Sequence, residues 1–195
     1  MFYEKEYLRQ FFENTGKINA IKAREIAEYF EEKTIDRGNL FLKEGQVSNE
    51  YMILQKGFMR SYSFDLDGTE VTTAFHNNGY PVFEVASFFN RTSSKENIQA
   101  LSDCHGWIIT YEQLNLLFHS IVEFREFGRS ILVKGFAGLK TRMLSLITET
   151  AEERYVSLLE STPEIFQYAH LKQIASYLGI TDTSLSRIRK MMMKK

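Results

Sequence analysis

The segment LKQIASYLGITDTSLSRIRK, which begins at Leu171, constrains this chain more than any other. Small Ala175 falls fifth in it, where two crossing helices come closest. Gly179 falls ninth, where a tight turn needs a positive φ that only glycine adopts without a steric penalty. Apolar Ile174, Leu178 and Ile180 suit the inside of that turn, and Leu185 and Ile188 suit the inward face of a second helix. The spacing predicts a helix, a short turn and a second helix at a steep crossing, with Thr181 or Asp182 as the N-cap of the second. With Leu185 and Ile188 inward, Thr183, Ser184, Arg187 and Lys190 project outward. Arginine can bond a guanine edge bidentately, and hydroxyls serve bases or phosphates. Arg189, Lys194 and Lys195 are expected at phosphates, with Ser186 close to the backbone. The other reading is an ordinary helical hairpin with a basic face.

Charge distribution favours the first reading. The 195 residues carry a formal charge of −1. From His170 to Lys195, however, six basic residues stand against the single acid Asp182, so this end is at +5 and the rest of the chain at −6. A basic end on an acidic body is an electrostatic footprint for a polyanion.

The period changes along the chain. Up to about Glu32 apolar residues recur at helical spacing: Tyr7, Leu8, Phe11 and Phe12, then Ile18, Ile21, Ile26, Tyr29 and Phe30. From Lys33 to about Thr110 short β-rich runs alternate with glycine turns, Asp67-Gly68 being a tight-hairpin signal, which predicts an antiparallel roll, barrel or sandwich. From about Glu112 to Leu159 the pattern is helical again, with breaks expected at glycines, and Pro163 sets it apart from the final helices. Ile121, Phe124, Gly128, Ile131 and Gly135 follow one another at spacings of 3, 4, 3 and 4, an a/d seam expected to pair with a second copy of the helix. Leu132, Val133, Phe136 and Leu139 form a second apolar face, expected to pack on the strand region. A helix buried entirely within its own chain is the alternative.

The tail YLGITDTSLSRIRK resembles the DNA-binding end of the Crp/Fnr regulators, and the likeness runs in order over nearly the whole chain. LFLKEGQVSNEYMILQKGFMRSY resembles that family's first strands, with Gly45 and Gly57 at its turn glycines. VFEVASFFNRTSSKENIQAL resembles its phosphate-binding cassette and the following strand. The resemblance implies an α+β chain: an N-terminal β-roll of jelly-roll type with flanking helices over residues 1–118, a dimerisation helix and connector over 119–150, and an all-α helix-turn-helix domain over 151–195. It further implies a homodimer on a near-palindromic site in double-stranded DNA.

Two departures follow from the same comparison. Cyclic-nucleotide binders of the family have a glycine–glutamate pair in the cassette and, after a short helix, an arginine followed by serine or threonine. Here the first pair reads Phe83-Glu84 and the second Ser94-Lys95, so the phosphate arginine is missing; Arg91 lies three residues earlier. Lys95 offers charge but not a planar fork. The expectation is an effector pocket filled by Phe83 or reshaped for another small molecule, and not one for cyclic AMP. The second expected departure is the lack of the β-hairpin wing that follows the recognition helix in many relatives.

Other chemistry has little support. Cys104 is the single cysteine, His76, His105 and His119 are scattered, and no metal, cofactor or catalytic constellation is expected. Trp107 and the sixteen phenylalanines suit a core. The opening MFYEKEYLRQFF does not read as a secretory leader, and no apolar run reaches membrane-spanning length, so a cytoplasmic protein is expected. The competing function is a small-molecule-binding module whose helix-turn-helix is vestigial.

Overall fold

The computed structural model describes residues 5–193. Helices α1 (Glu6–Glu13) and α2 (Ala20–Ala27) precede β1 (Glu31–Ile35), β2 (Leu40–Leu42), β3 (Glu50–Lys56), β4 (Met59–Phe64), β5 (Glu70–His76) and β6 (Pro81–Val82). A short helix, α3 (Val85–Asn90), leads to β7 (Asn97–Ala100) and β8 (Cys104–Thr110). The strands form two antiparallel sheets of order β1-β8-β3-β6 and β2-β7-β4-β5, closed on each other as a roll. The fold is α+β, as the alternation of periods predicts.

Strand alternation divides the apolar residues between two cores. Met52, Leu54, Val82, Ile98 and Ala100 fill the roll. Tyr51, Ile53, Trp107 and Ile109 face outward onto a layer of helices. The turn between β3 and β4 depends on Gly57, at φ +106°; a Cβ there would lie 2.7 Å from the Asp103 carbonyl oxygen. Asp67-Gly68 closes β4 onto β5 as expected, with Asp65 Oδ1 accepting from the N–H groups of Asp67 and Thr69.

The helical layer comprises α1, α2, α4 (Tyr111–Ser120) and the start of α5 (Val122–Thr148). Phe12 stands at its centre, its ring 5.6 Å from Phe30, 6.0 Å from Phe124 and 5.3 Å from Phe127. Ile21 belongs to the apolar pattern of this region but is exposed. The remaining helices are α6 (Ala151–Ser161), α7 (Ile165–Tyr168), α8 (Leu171–Tyr177) and α9 (Asp182–Met192).

The long helical stretch does not break at its glycines. Gly128, Gly135 and Gly138 all lie inside α5, whereas the breaks fall at extended Ile121 and Glu149. The helices on either side of α5 begin at caps, whereas α5 itself restarts at Ile121 without one. Thr110 and Gln113 form a capping box on α4, and Thr150 and Glu153 form one on α6. A reciprocal cap satisfies two free N–H groups, whereas a glycine within a helix costs only about 1 kcal/mol, so the boundary at Glu149 falls before a cap and not at a glycine.

The two apolar faces of α5 lie opposite to the sequence expectation. Ile121, Phe124 and Gly128 are buried in the chain's own helical layer, and Ile131 packs partly against it. A Cβ on Gly128 would meet the Phe118 ring at 2.4 Å, so the close neighbour of this glycine is intramolecular. Gly135 has nothing within 4 Å. Leu132, Val133, Phe136 and Leu139 do not cover the strands; they are exposed, Phe136 at 72%. The aromatic residues of α1 and α4 draw the first seam inward and turn the second to solvent.

These placements predict opposite effects for two substitutions. Gly128→Ala should lower stability by about 1–3 kcal/mol through overpacking on Phe118. Gly135→Ala should raise it by about 0.5–1 kcal/mol, because only helix propensity changes there. Thermal denaturation of both variants distinguishes them; a loss at Gly135 would mean that a partner approaches that face closely.

Candidate functional site

The last two helices form the arrangement expected of LKQIASYLGITDTSLSRIRK. Helix α8 ends in a Schellman motif: Ile180 N–H donates to the Ala175 carbonyl and Gly179 N–H to the Ser176 carbonyl, at 3.0 and 3.1 Å, with Gly179 at φ +69°. Thr181, not Asp182, caps α9 by accepting from Ser184 N–H. Ile174, Ala175, Leu178, Leu185 and Ile188 are buried together with Tyr155, Leu158 and Ile165. The core thus fixes which side of α9 faces outward.

That outward side is an open concavity lined by Asp182, Thr183, Ser186, Arg187 and Lys190. These positions recur at helical spacing on one face, and all of them are exposed. Ser186, assigned from sequence only to the backbone, stands among them. Ser184 is half-buried, and its hydroxyl, like that of Thr183, lies within 3.0 Å of Thr181 Oγ1 in the cap. Arg189 is also half-buried, at the border of the inward face. Lys194 and Lys195 lie outside the described residues.

The cassette is stitched to the chain itself. The Glu84 carboxylate caps α3, accepting from Ala86 and Ser87 N–H at 3.1 and 2.6 Å. Phe83 does not enter the roll. It follows Val82 by one position and so points to the other face of the sheet, with its ring 4.8 Å from Tyr51 and 5.4 Å from Phe88. Ser94 is buried and turns onto Glu96, donating to its carbonyl and accepting from its N–H. Lys95 is exposed. Arg91, in the left-handed region at φ 56°, donates to the carbonyls of Ser48 and Phe88 and to Asn49 Oδ1 and stacks 4.0 Å over Tyr111. The Arg91 guanidinium is thus engaged within the chain itself.

Within the roll, Ser61 Oγ and His76 Nε2 are 2.8 Å apart. Burial pushes the His76 imidazole down to about 4 from its ordinary 6.5, so it stays neutral at physiological pH. Burial raises the Glu96 carboxyl, and the Thr73 hydroxyl opposes that rise. Cys104 is buried, with its thiol pushed up. Trp107 donates its indole N–H to Gln55 Oε1 and belongs to the core. His105 pairs with Glu32 at 2.5 Å.

The His76 environment predicts a pH dependence. Between 6.5 and about 4 the unfolded chain binds a proton that the folded chain refuses, so stability falls as pH drops through that window. The contribution is about 3 kcal/mol at the lower end. Chemical denaturation of the parent chain and His76→Gln across this range should show the parent losing the extra increment. Parallel curves would contradict the assignment.

Residues 32–120 match the cyclic nucleotide-binding domain family. The fumarate and nitrate reduction regulatory protein of Vibrio cholerae is 25% identical over 168 residues, 80% of this chain; the chain spans 66% of that relative's length. FixK2 from Bradyrhizobium japonicum superposes with a TM-score of 0.72 at 19% identity, over 85% of each chain. A crp/fnr-family protein from Eubacterium rectale superposes with a TM-score of 0.69 at 15% identity, over 95% of this chain and 88% of its own. Among the described residues no helix is long and apolar enough to cross a membrane. Residues 32–120 thus match the cyclic nucleotide-binding domain family, and the chain is similar in sequence to one regulatory protein of Vibrio cholerae and shares its fold with solved proteins such as FixK2.

Proposed function

We propose that this chain is a homodimeric, sequence-specific DNA-binding regulator of the Crp/Fnr type whose roll does not respond to cyclic AMP. The observation that carries the reading is the outward face of α9, where Thr183, Ser186, Arg187 and Lys190 stand exposed side by side on a helix fixed by a Schellman turn and an N-cap. Arg187 is the residue for a guanine edge, Lys190 and Arg189 serve phosphates, and Thr183 and Ser184 serve bases or phosphates near the cap. The three units are a sensor roll over 1–118, a helix and connector over 119–150, and an effector domain over 151–195.

The dimer is proposed to form through the outward face of α5. Leu132, Phe136, Leu139 and Met143 recur at 4, 3 and 4, an a/d seam one residue out of phase with the one buried inside the chain. From residue 132 to 141 this helix is exposed on every side. Burying such side chains is worth about 1.5–3 kcal/mol each, enough to hold two copies together along four positions. Two recognition helices then enter successive major grooves about 34 Å apart. The engaged state of Arg91 and Glu84 and the exposure of Lys95 support a roll that takes a different effector or none.

Two variants separate the parts of this reading. Phe136→Glu should yield monomers by light scattering and weaken binding to a two-half-site duplex by at least about 100-fold, through loss of avidity. Arg187→Ala should leave the dimer mass unchanged and abolish selective binding while leaving a weak, salt-sensitive affinity for any duplex. Unchanged selectivity in Arg187→Ala would remove that residue from the interface.

A further inference from the structure

The inward face of α5 does not end at Ile131. Three turns further on it carries Arg142, and this side chain joins three parts of the molecule. Its Nη1 donates to the Thr73 carbonyl on β5 at 2.6 Å, and its Nη2 donates to the Tyr177 carbonyl at the end of α8 at 3.0 Å. Its guanidinium carbon lies over the Tyr177 ring, 4.1 Å from the centroid. A planar fork of donors suits such a site, since each carbonyl sits at its own edge while the face stacks. Tyr177 O is also one of the last carbonyls of α8, which no intrahelical donor can satisfy.

The surroundings of Arg142 form an interface between the roll and the helix-turn-helix. The Thr72 N–H of β5 donates to Ser176 Oγ of α8 at 3.0 Å, and Ser176 in turn donates to the Gln173 carbonyl. Phe75 meets Tyr177 edge to face at 5.0 Å, and Phe58 stacks on Tyr168 at 5.5 Å. Strand β5 therefore has two working faces. Ala74 and His76 lie on the side of the roll, opposite Ser61 and Met59, and Thr72 and Phe75 touch the effector domain.

We propose that Arg142 is a positioning residue that clamps α8 to β5, so that the roll wall and the recognition helix move as one body and a shift of either is passed to the other. Its DNA-facing consequence rests on the function proposed above; the clamp itself does not. The Thr72 amide is the reporter, because its acceptor belongs to the other unit.

Amide hydrogen exchange of the full chain tests the clamp in the parent, Arg142→Ala and Arg142→Lys. Thr72 should exchange at least about tenfold faster in Arg142→Ala, while the amides of Met52 and Ile108 in the other sheet stay unchanged. Arg142→Lys should recover part of the protection, since one ammonium cannot hold two carbonyls and stack as a plane; it carries the test if Arg142→Ala does not fold. Unaltered Thr72 exchange overturns the proposal. So does a uniform acceleration of all amides, which would make Arg142 a general stabiliser. Affinity for a selected duplex should change by at least about fivefold in Arg142→Ala with the dimer intact. A released Thr72 amide with unchanged affinity would overturn the link to the recognition helix. If the parent itself binds no duplex, the exchange result still decides the clamp, and the DNA-binding reading is what fails.

Discussion

The structure depends on how α5 divides its surface. Its first turns are held by Phe12, Phe118 and their neighbours, and its last turns by Arg142 against β5 and α8. Between these anchors the helix is exposed on every side. An isolated helix of that length is marginal in water, because nucleation is unfavourable and propagation returns little per residue. The two anchored ends supply order at the cost of leaving an apolar seam in solvent. That exposed seam is the physical basis for the proposed dimer. In that proposed dimer the same helix would set the distance between the two proposed DNA-reading ends.

Much of this was legible in the sequence, for a reason that differs by region. In the helix-turn-helix, Ala175, Gly179, Leu185 and Ile188 each answer a separate steric demand, so residue type alone nearly determines the local fold. The roll was legible as alternation and turns, but not in its register. Phe83 illustrates the limit. It was read as filling the pocket, yet its position one residue after Val82 puts it on the opposite face of the sheet. The stripe expected to pair with a second copy packs inside the chain for a related reason. Two apolar stripes on α5 have the same heptad spacing, and only the aromatic residues of α1 and α4, distant in sequence, decide which one is internal.

The helix boundaries were legible too, although through a different signal from the one used. Glycines were expected to interrupt the long stretch. The interruptions occur instead at Ile121 and Glu149, the second just before Thr150-x-x-Glu153, which satisfies free backbone donors at the restart. Likewise Glu84 was legible as a cassette carboxylate, whereas its use as the cap of α3 depends on backbone geometry that spacing does not reveal. The Arg142 contacts had no sequence signature, since they join residues separated by 69 and 35 positions.

The account turns on whether the paired recognition helices read DNA without cyclic AMP. Selection of the purified chain on random-sequence duplexes, followed by sequencing, with and without cyclic AMP, measures this directly. The account predicts one enriched near-palindrome, with half-sites a helical turn apart, identical in both conditions. Enrichment only with cyclic AMP would contradict the reading of Arg91, Ser94 and Lys95, and no enrichment in either condition would contradict the proposed DNA-binding function.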